Sequence, residues 1–252
     1  MRRSLLIAAS AMVAVSTAAF APASPVQEPS SYAAVLADPI RPAEERARDA
    51  ARHTAETLAF ASVAPGQKIA DMIIGGGYFT RIFSAAVGAE GRVVAWQPAE
   101  FIGFQASYGE SLTEVDGLPN VDGIRSPIGA PEFPSGLDLV FTAQNYHDLH
   151  LAPFPADTAT KVNAAVFQAL KPGGLYVIID HHAAAGSDLA AADTLHRIDI
   201  EAVKREVTAA GFVLDAESDL LAEASDPRTA NVFDDSIRGK TSQFMLRFRK
   251  PG

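Results

Sequence analysis

The chain has 252 residues, of which 48% are hydrophobic and 20% charged, with a formal net charge of −9 at pH 7. This balance suits one globular domain with a sizeable core and excludes a disordered, collagenous or coiled-coil chain. The acidic excess disfavours nonspecific binding to nucleic acid or an anionic membrane. With no cysteine, disulfides and lipid attachment through an N-terminal cysteine are excluded.

Residues 1–23, MRRSLLIAASAMVAVSTAAFAPA, place two arginines before an apolar run from Leu5 to Val15, then small residues and the Ala-x-Ala sequence Ala21-Pro22-Ala23. This is the layout of a secretory signal peptide. The run falls short of the roughly 20 apolar residues a membrane span needs. Cleavage between Ala18 and Ala23 is expected, delivering a protein without a membrane anchor to the periplasm or the medium. Arg2-Arg3 leaves twin-arginine export open beside the ordinary route. Residues 24–37, rich in Pro, Ser and Ala, read as a linker, and 38–252 as the domain.

The domain opens with a helix from Pro42 through RPAEERARDAARHTAETLAFASV, dense in good helix formers and stopped by the Pro65-Gly66 turn. Strands and helices then alternate. QKIADMII (67–74) is the first strand, and YFTRIFSAAVG a helix with Phe79, Ile82, Phe83 and Val87 on one face and Gly88 as its stop. RVVAWQ is the second strand, a short helix is expected within 101–117, and NVDGIRSPI is a weak third strand. LDLVFTAQNYHDL is a fourth strand running into a polar loop, followed by the helix TATKVNAAVFQALKPGG, with Val162, Val166 and Leu170 aligned and Pro172-Gly173-Gly174 ending it. LYVIIDHHA is the fifth strand, DIEAVKREVTAAG a helix capped by Asp199, and FVLDAES and SQFMLRFRK close the chain as strands able to pair antiparallel at one edge. Alternation with near-continuous apolar strands predicts an open, mainly parallel α/β sheet with helices on both faces and ligands at the carboxyl ends of its strands.

IADMIIGGGYFT (69–80) puts three glycines between the first strand and a helix. Such a turn lets a ligand approach the backbone, and the helix end offers free N–H groups and partial positive charge. A tight turn with no ligand has the same composition.

The order of elements, together with IADMIIGGGYFT, LDLVFTAQNYHDL, LKPGGLYVIIDHHA and the closing strand pair, resembles a class I S-adenosylmethionine (SAM)-dependent methyltransferase with a Rossmann-like sheet over about residues 40–250. RARDAARHTAETLAF, HRID and IRGKTSQF are similar to a family of exported bacterial methyltransferases. The resemblance implies SAM as cofactor, held by Asp71, Gly75, Gly76, Gly77 and Gln97 and closed by Asn145 or Tyr146. Two positions depart from the pattern: Ile73 stands where the first glycine of the motif belongs, and Gln97 where a carboxylate accepts both ribose hydroxyls. Losing charge-assisted bonds of that kind costs on the order of 1–2 kcal/mol.

Four of the six histidines lie in two short stretches, His147 and His150 after the fourth strand and His181 and His182 after the fifth, with Asp148 and Asp180 beside them. Adjacent parallel strands bring these loops together next to the expected cofactor crevice, where Asp180 and His182 would touch the acceptor. Three readings stay open. One histidine is a general base for a hydroxyl or amine acceptor, His147 with Asp148 first and His181 next; or the histidines and Asp180 hold a divalent metal; or the group is structural. The site assignment taken forward contains no metal. Arg238 and Lys240, in NVFDDSIRGKTSQF, either clamp an anionic substrate or the SAM carboxylate or pair with Asp226, Asp234 or Asp235. Trp96 and Tyr78 either stack on an adenine or fill the core.

The function implied is methyl transfer from SAM to a small-molecule acceptor. SAM is made in the cytoplasm, so export pulls against this reading. The alternative is a methyltransferase-fold binding module that holds another small molecule or a metal.

Overall fold

The computed structural model describes residues 28–187 and 189–252; the expected signal peptide (1–23) and the first residues of the expected linker lie outside the described residues. In chain order the elements are α1 (Ala33–Leu36), α2 (Ala43–Arg46), α3 (Thr54–Phe60), β1 (Lys68–Met72), α4 (Tyr78–Val87), β2 (Arg92–Pro98), α5 (Ala99–Phe104), α6 (Ser107–Asp116), β3 (Val121–Ser126), β4 (Leu137–Ala143), α7 (Thr158–Ala169), β5 (Leu170–His181), α8 (Ala190–Leu195), α9 (Ile200–Ala209), β6 (Val213–Ser218) and β7 (Gln243–Arg249). Among the described residues no helix is long and apolar enough to cross a membrane.

The seven strands form one sheet in the order β3-β2-β1-β4-β5-β7-β6. The first five run parallel, and β7 is antiparallel to both β5 and β6. Alternate residues of each strand feed two cores, as the two-residue strand period requires. One core packs Val94, Val140, Ile178 and Leu246 against α5, α7 and α9. The other packs Val93, Phe141, Ile179 and Met245 against α3, α4 and α6. Asp199 caps α9 by accepting from Glu201 N–H at 3.1 Å.

Where one short helix was expected within 101–117 there are two, α5 and α6; α7 ends at Ala169, before Leu170; and α8 was not expected. Three further stretches differ from their sequence reading. The helix expected over 41–63 is broken: His53 is left-handed (φ 46°), and Thr54 N–H donates back to Asp49 O. Ala, Glu and Arg carry no break signal. The break comes from tertiary contacts, since Asp49 is held bidentately by Arg41 at 2.6 and 2.8 Å and also accepts from Tyr78 OH at 2.6 Å. Residues 28–37, read as linker, belong to the fold: they form a 3-10 turn and α1, and buried Tyr32 donates to Val63 O at 2.7 Å. The fifth strand starts earlier than LYVIIDHHA. Leu170 already pairs with Leu137, and the Pro172-Gly173-Gly174 turn falls at the register shift that follows.

Candidate functional site

The glycine turn (73–77) leaves β1 for α4. Ile73 and Ile74 N–H both donate to Trp96 O, at 2.9 and 3.2 Å, tying the turn to the end of β2. Ile73 is left-handed, with φ 63°. That conformation costs a β-branched residue about 1–3 kcal/mol. It is held because the side chain is buried in the core and Asn145 Nδ2 donates to its carbonyl at 3.0 Å. The turn thus keeps, at a residue that is not glycine, a backbone shape glycine adopts freely.

Gly75 and Gly76 are the open part of the turn, since a Cβ at either would meet no atom within 4 Å. Gly77 is structural: its φ is 81°, and a Cβ there would lie 2.7 Å from Val115 Cγ1. Gly77→Ala is therefore expected to lower stability by about 1–3 kcal/mol, whereas Gly76→Ala should stay within about 0.5 kcal/mol of the parent. Urea unfolding of the two variants checks the contrast.

Asp71 is buried and accepts from Thr80 Oγ1 at 2.6 Å, latching β1 to the first turn of α4. Burial pushes its carboxyl up to about 7 against the pull of the Thr80 bonds. Its role in the fold is to hold this turn. Gln97 is fully buried, and its Oε1 accepts from Gly75 N–H at 3.0 Å while Nε2 has no partner among the described residues. Gln97, expected in the cofactor site, thus gives its oxygen to the turn, and its Nε2–H is the donor left over. The crevice reading of Tyr146 is corrected: its ring is fully buried, and its hydroxyl donates to Glu206 and accepts from Asn163, between α9 and α7. Trp96 fills the core, with Nε1 donating to Ser126 Oγ at 2.8 Å. Glu100 turns away to accept from Ile128 N–H.

The histidines divide by strand parity. Asp180 and His182 follow the β5 face of Ile178, and His181 that of Ile179. On the first face His147 is buried between two carboxylates. Its backbone N–H and Nδ1 reach the two oxygens of Asp180 at 2.7 and 2.8 Å, and its Nε2 lies 3.2 Å from Asp148 Oδ1. Burial alone would lower the imidazole's pKa, but Asp180 and then Asp148 outweigh it and raise it to about 10. His147 is thus an imidazolium at neutral pH and cannot act as a general base, which overturns its first-choice role. Asp180 is fully buried and accepts from His147 and from His181 N–H, so it has no oxygen free for a substrate. His150 bonds Glu206, and His182 packs on the Phe244 ring.

His147, Asp148 and His196 each bring a ligand atom to within 4.8 Å of one another. The His147 proton directed at Asp148 competes with any cation there, because a metal takes only the neutral ring. One imidazolium between two acids accounts for the geometry as an ion triad.

His181 faces a cavity of about 470 Å³ at the carboxyl ends of β4 and β5, between the α2–α3 segment and the β6–β7 loop. Its Nδ1 lies 2.8 Å from Thr241 Oγ1, and Nε2 makes no hydrogen bond among the described residues. Burial, with His147 and Arg197 against the pull of Asp180, lowers its pKa to about 4, so the ring is neutral. Arg238 lines the same cavity and lies over the Phe233 ring, whereas exposed Lys240 does not line it. Neither is in an ion pair among the described residues; Asp226 pairs instead with Arg197. Arg48 and Arg52 also line the cavity. The sequence reading missed both, because they sit in a stretch whose composition only signals helix.

No family model matches the chain. An uncharacterized methyltransferase of Synechocystis is 29% identical over 125 residues, 48% of this chain, and the chain spans 50% of that relative's length. A SAM dependent methyltransferase from Aquifex aeolicus superposes with a TM-score of 0.57 at 19% identity, covering 88% of this chain and 98% of that one. The [4+2]-cyclase SpnF superposes with a TM-score of 0.57 at 16% identity, over 80% of this chain and 81% of its own. The fold is that of the class I SAM-dependent methyltransferases, Rossmann-like with an antiparallel edge.

Proposed function

We propose that this chain, with a class I methyltransferase fold and a methyltransferase relative, transfers a methyl group from SAM to a small-molecule acceptor. The observation that carries the reading is the glycine turn: at the carboxyl end of β1, Gly75 and Gly76 present bare backbone to open space, next to a buried Gln97 Nε2 that has no partner among the described residues. When bound there, SAM supplies an activated methyl group on a sulfonium. Gly75 and Gly76 would lie against it, and Gln97 would donate to it. The protein contributes positioning of donor and acceptor.

His181 takes the base's role from His147. In the tautomer whose Nδ1–H donates to Thr241 Oγ1, Nε2 is an acceptor at the cavity. An imidazole with a pKa of about 4 is a weak base, which suits a hydroxyl acceptor: that oxygen turns cationic as the methyl bond forms, and its proton becomes acidic enough for such a ring. The leader expected at 1–23 would place this activity in the periplasm, where SAM must be supplied or carried out already bound.

The second reading is a binding module of the same fold that performs no methyl transfer. It is favoured by the engaged Gln97 oxygen in place of a free carboxylate at the end of β2. Calorimetry with SAM and S-adenosylhomocysteine separates the two. Micromolar binding by the parent, weakened at least tenfold in Gly76→Val with an unchanged melting temperature, is the expected result. No heat at millimolar ligand would leave the binding module.

A further inference from the structure

We propose that the cavity beside His181 binds a small organic carboxylate, and that Arg52 is the residue that recognises the charge. In a protein of net charge −9, this cavity is lined by Arg48, Arg52 and Arg238 and, among the described residues, by no Asp or Glu. The acids near Arg52 are already engaged. Asp49 holds Arg41 and accepts from Tyr78, and Glu45 holds Arg81. Arg52 is half-buried, and the one hydrogen bond of its side chain among the described residues is a donation from Nη2 to Gln144 Oε1 at 3.3 Å. Its guanidinium is fixed over the Tyr78 ring, 4.5 Å from the centroid, and over Phe79 at 5.3 Å. Burial and then the neighbouring Arg48 lower its pKa against the pull of Glu45 and Asp49, and no carboxylate forms an ion pair with it among the described residues.

A stacked guanidinium with free donors is preorganised for a planar two-oxygen anion. The remaining walls set the rest of the ligand. Ile179, Leu221, Val232 and Phe233 are apolar, and His181, Gln144, Gln243, Thr57 and Thr241 add neutral polar groups. A carboxylate on an apolar body of a few carbons matches this division, with Arg238 at the rim as a second cation. Binding itself does not depend on SAM; only the claim that this carboxylate is the methyl acceptor rests on the reading above.

The test is calorimetry on the purified protein with a panel of monocarboxylates from acetate to decanoate, benzoate and 3-phenylpropanoate, each paired with its neutral amide. At least one acid should bind ten times tighter than its amide. Arg52→Gln should lose tenfold or more of that affinity, Arg52→Lys part of it, and Arg238→Gln a smaller part, with melting temperatures confirming that each variant folds. S-adenosylhomocysteine affinity, measured on the same proteins, should be unchanged. Carboxylate binding without S-adenosylhomocysteine binding would leave this proposal standing and remove the methyl-transfer reading. An acid and amide that bind alike across the panel, or an Arg52→Gln protein that binds acids as the parent does, would overturn it; so would tighter binding of phenyl phosphate than of every carboxylate.

Discussion

Arg197→Met is expected to destabilise the protein by about 3–5 kcal/mol, because it leaves a buried carboxylate without its cation. Arg197 and Asp226 are both buried, with no side-chain exposure, and form a bidentate pair at 2.8 and 2.9 Å. Arg197 also donates to His182 O and Ala230 O, and Asp226 accepts from Arg228 and Ser242 N–H. One pair thus ties the start of the α9 segment to both ends of the loop that carries Val232, Phe233, Arg238 and Thr241 to the cavity. The double change Arg197→Met, Asp226→Leu should recover part of the loss but not all of it, since the two backbone donors stay unsatisfied. Urea unfolding of the three proteins measures this. A single variant within 1 kcal/mol of the parent would mean that the pair is not the anchor its geometry implies.

The strands and the mainly parallel sheet were legible because parallel strands buried on both faces read as apolar runs, as in VVAW and LYVII, and because Gly88 and Asp199 mark helix ends. The helix break at His53 was not, because what stops the helix is Asp49 bonded to Arg41 and to Tyr78 far along the chain. The histidine cluster was half legible. Sequence proximity placed His147, Asp180 and His181 at neighbouring strand ends, but Asp180 and His181 are consecutive on β5 and must face opposite ways. Applying that alternation to DHH would have separated the charged triad from the cavity histidine. Arg52 carries no sequence signal. Its role follows from which acids around it are taken, and that is a property of the packed structure.

Asp180→Asn is expected to cost several kcal/mol at neutral pH and, more diagnostically, to flatten the alkaline limb of the stability curve. His147 has its pKa raised from 6.5 to about 10 in the fold. A group raised on folding binds its proton more tightly in the native state, so its contribution is complete below about pH 6.5 and is lost as pH climbs toward 10. Asp180 is lowered by His147 against the opposing effect of its burial, so its contribution is present above its unfolded value of 3.8 and is lost on acidification. The pair therefore stabilises most between about pH 4 and 6.5. Above that window the parent should lose at most about 1.4 kcal/mol per pH unit from this one proton. In Asp180→Asn the amide cannot accept both His147 protons, the ring is left with Asp148 alone, and its pKa falls. Urea midpoints at pH 6.5 and 9.5 should then differ less in the variant than in the parent. Equal differences would mean that His147 is not the imidazolium its two carboxylates make it.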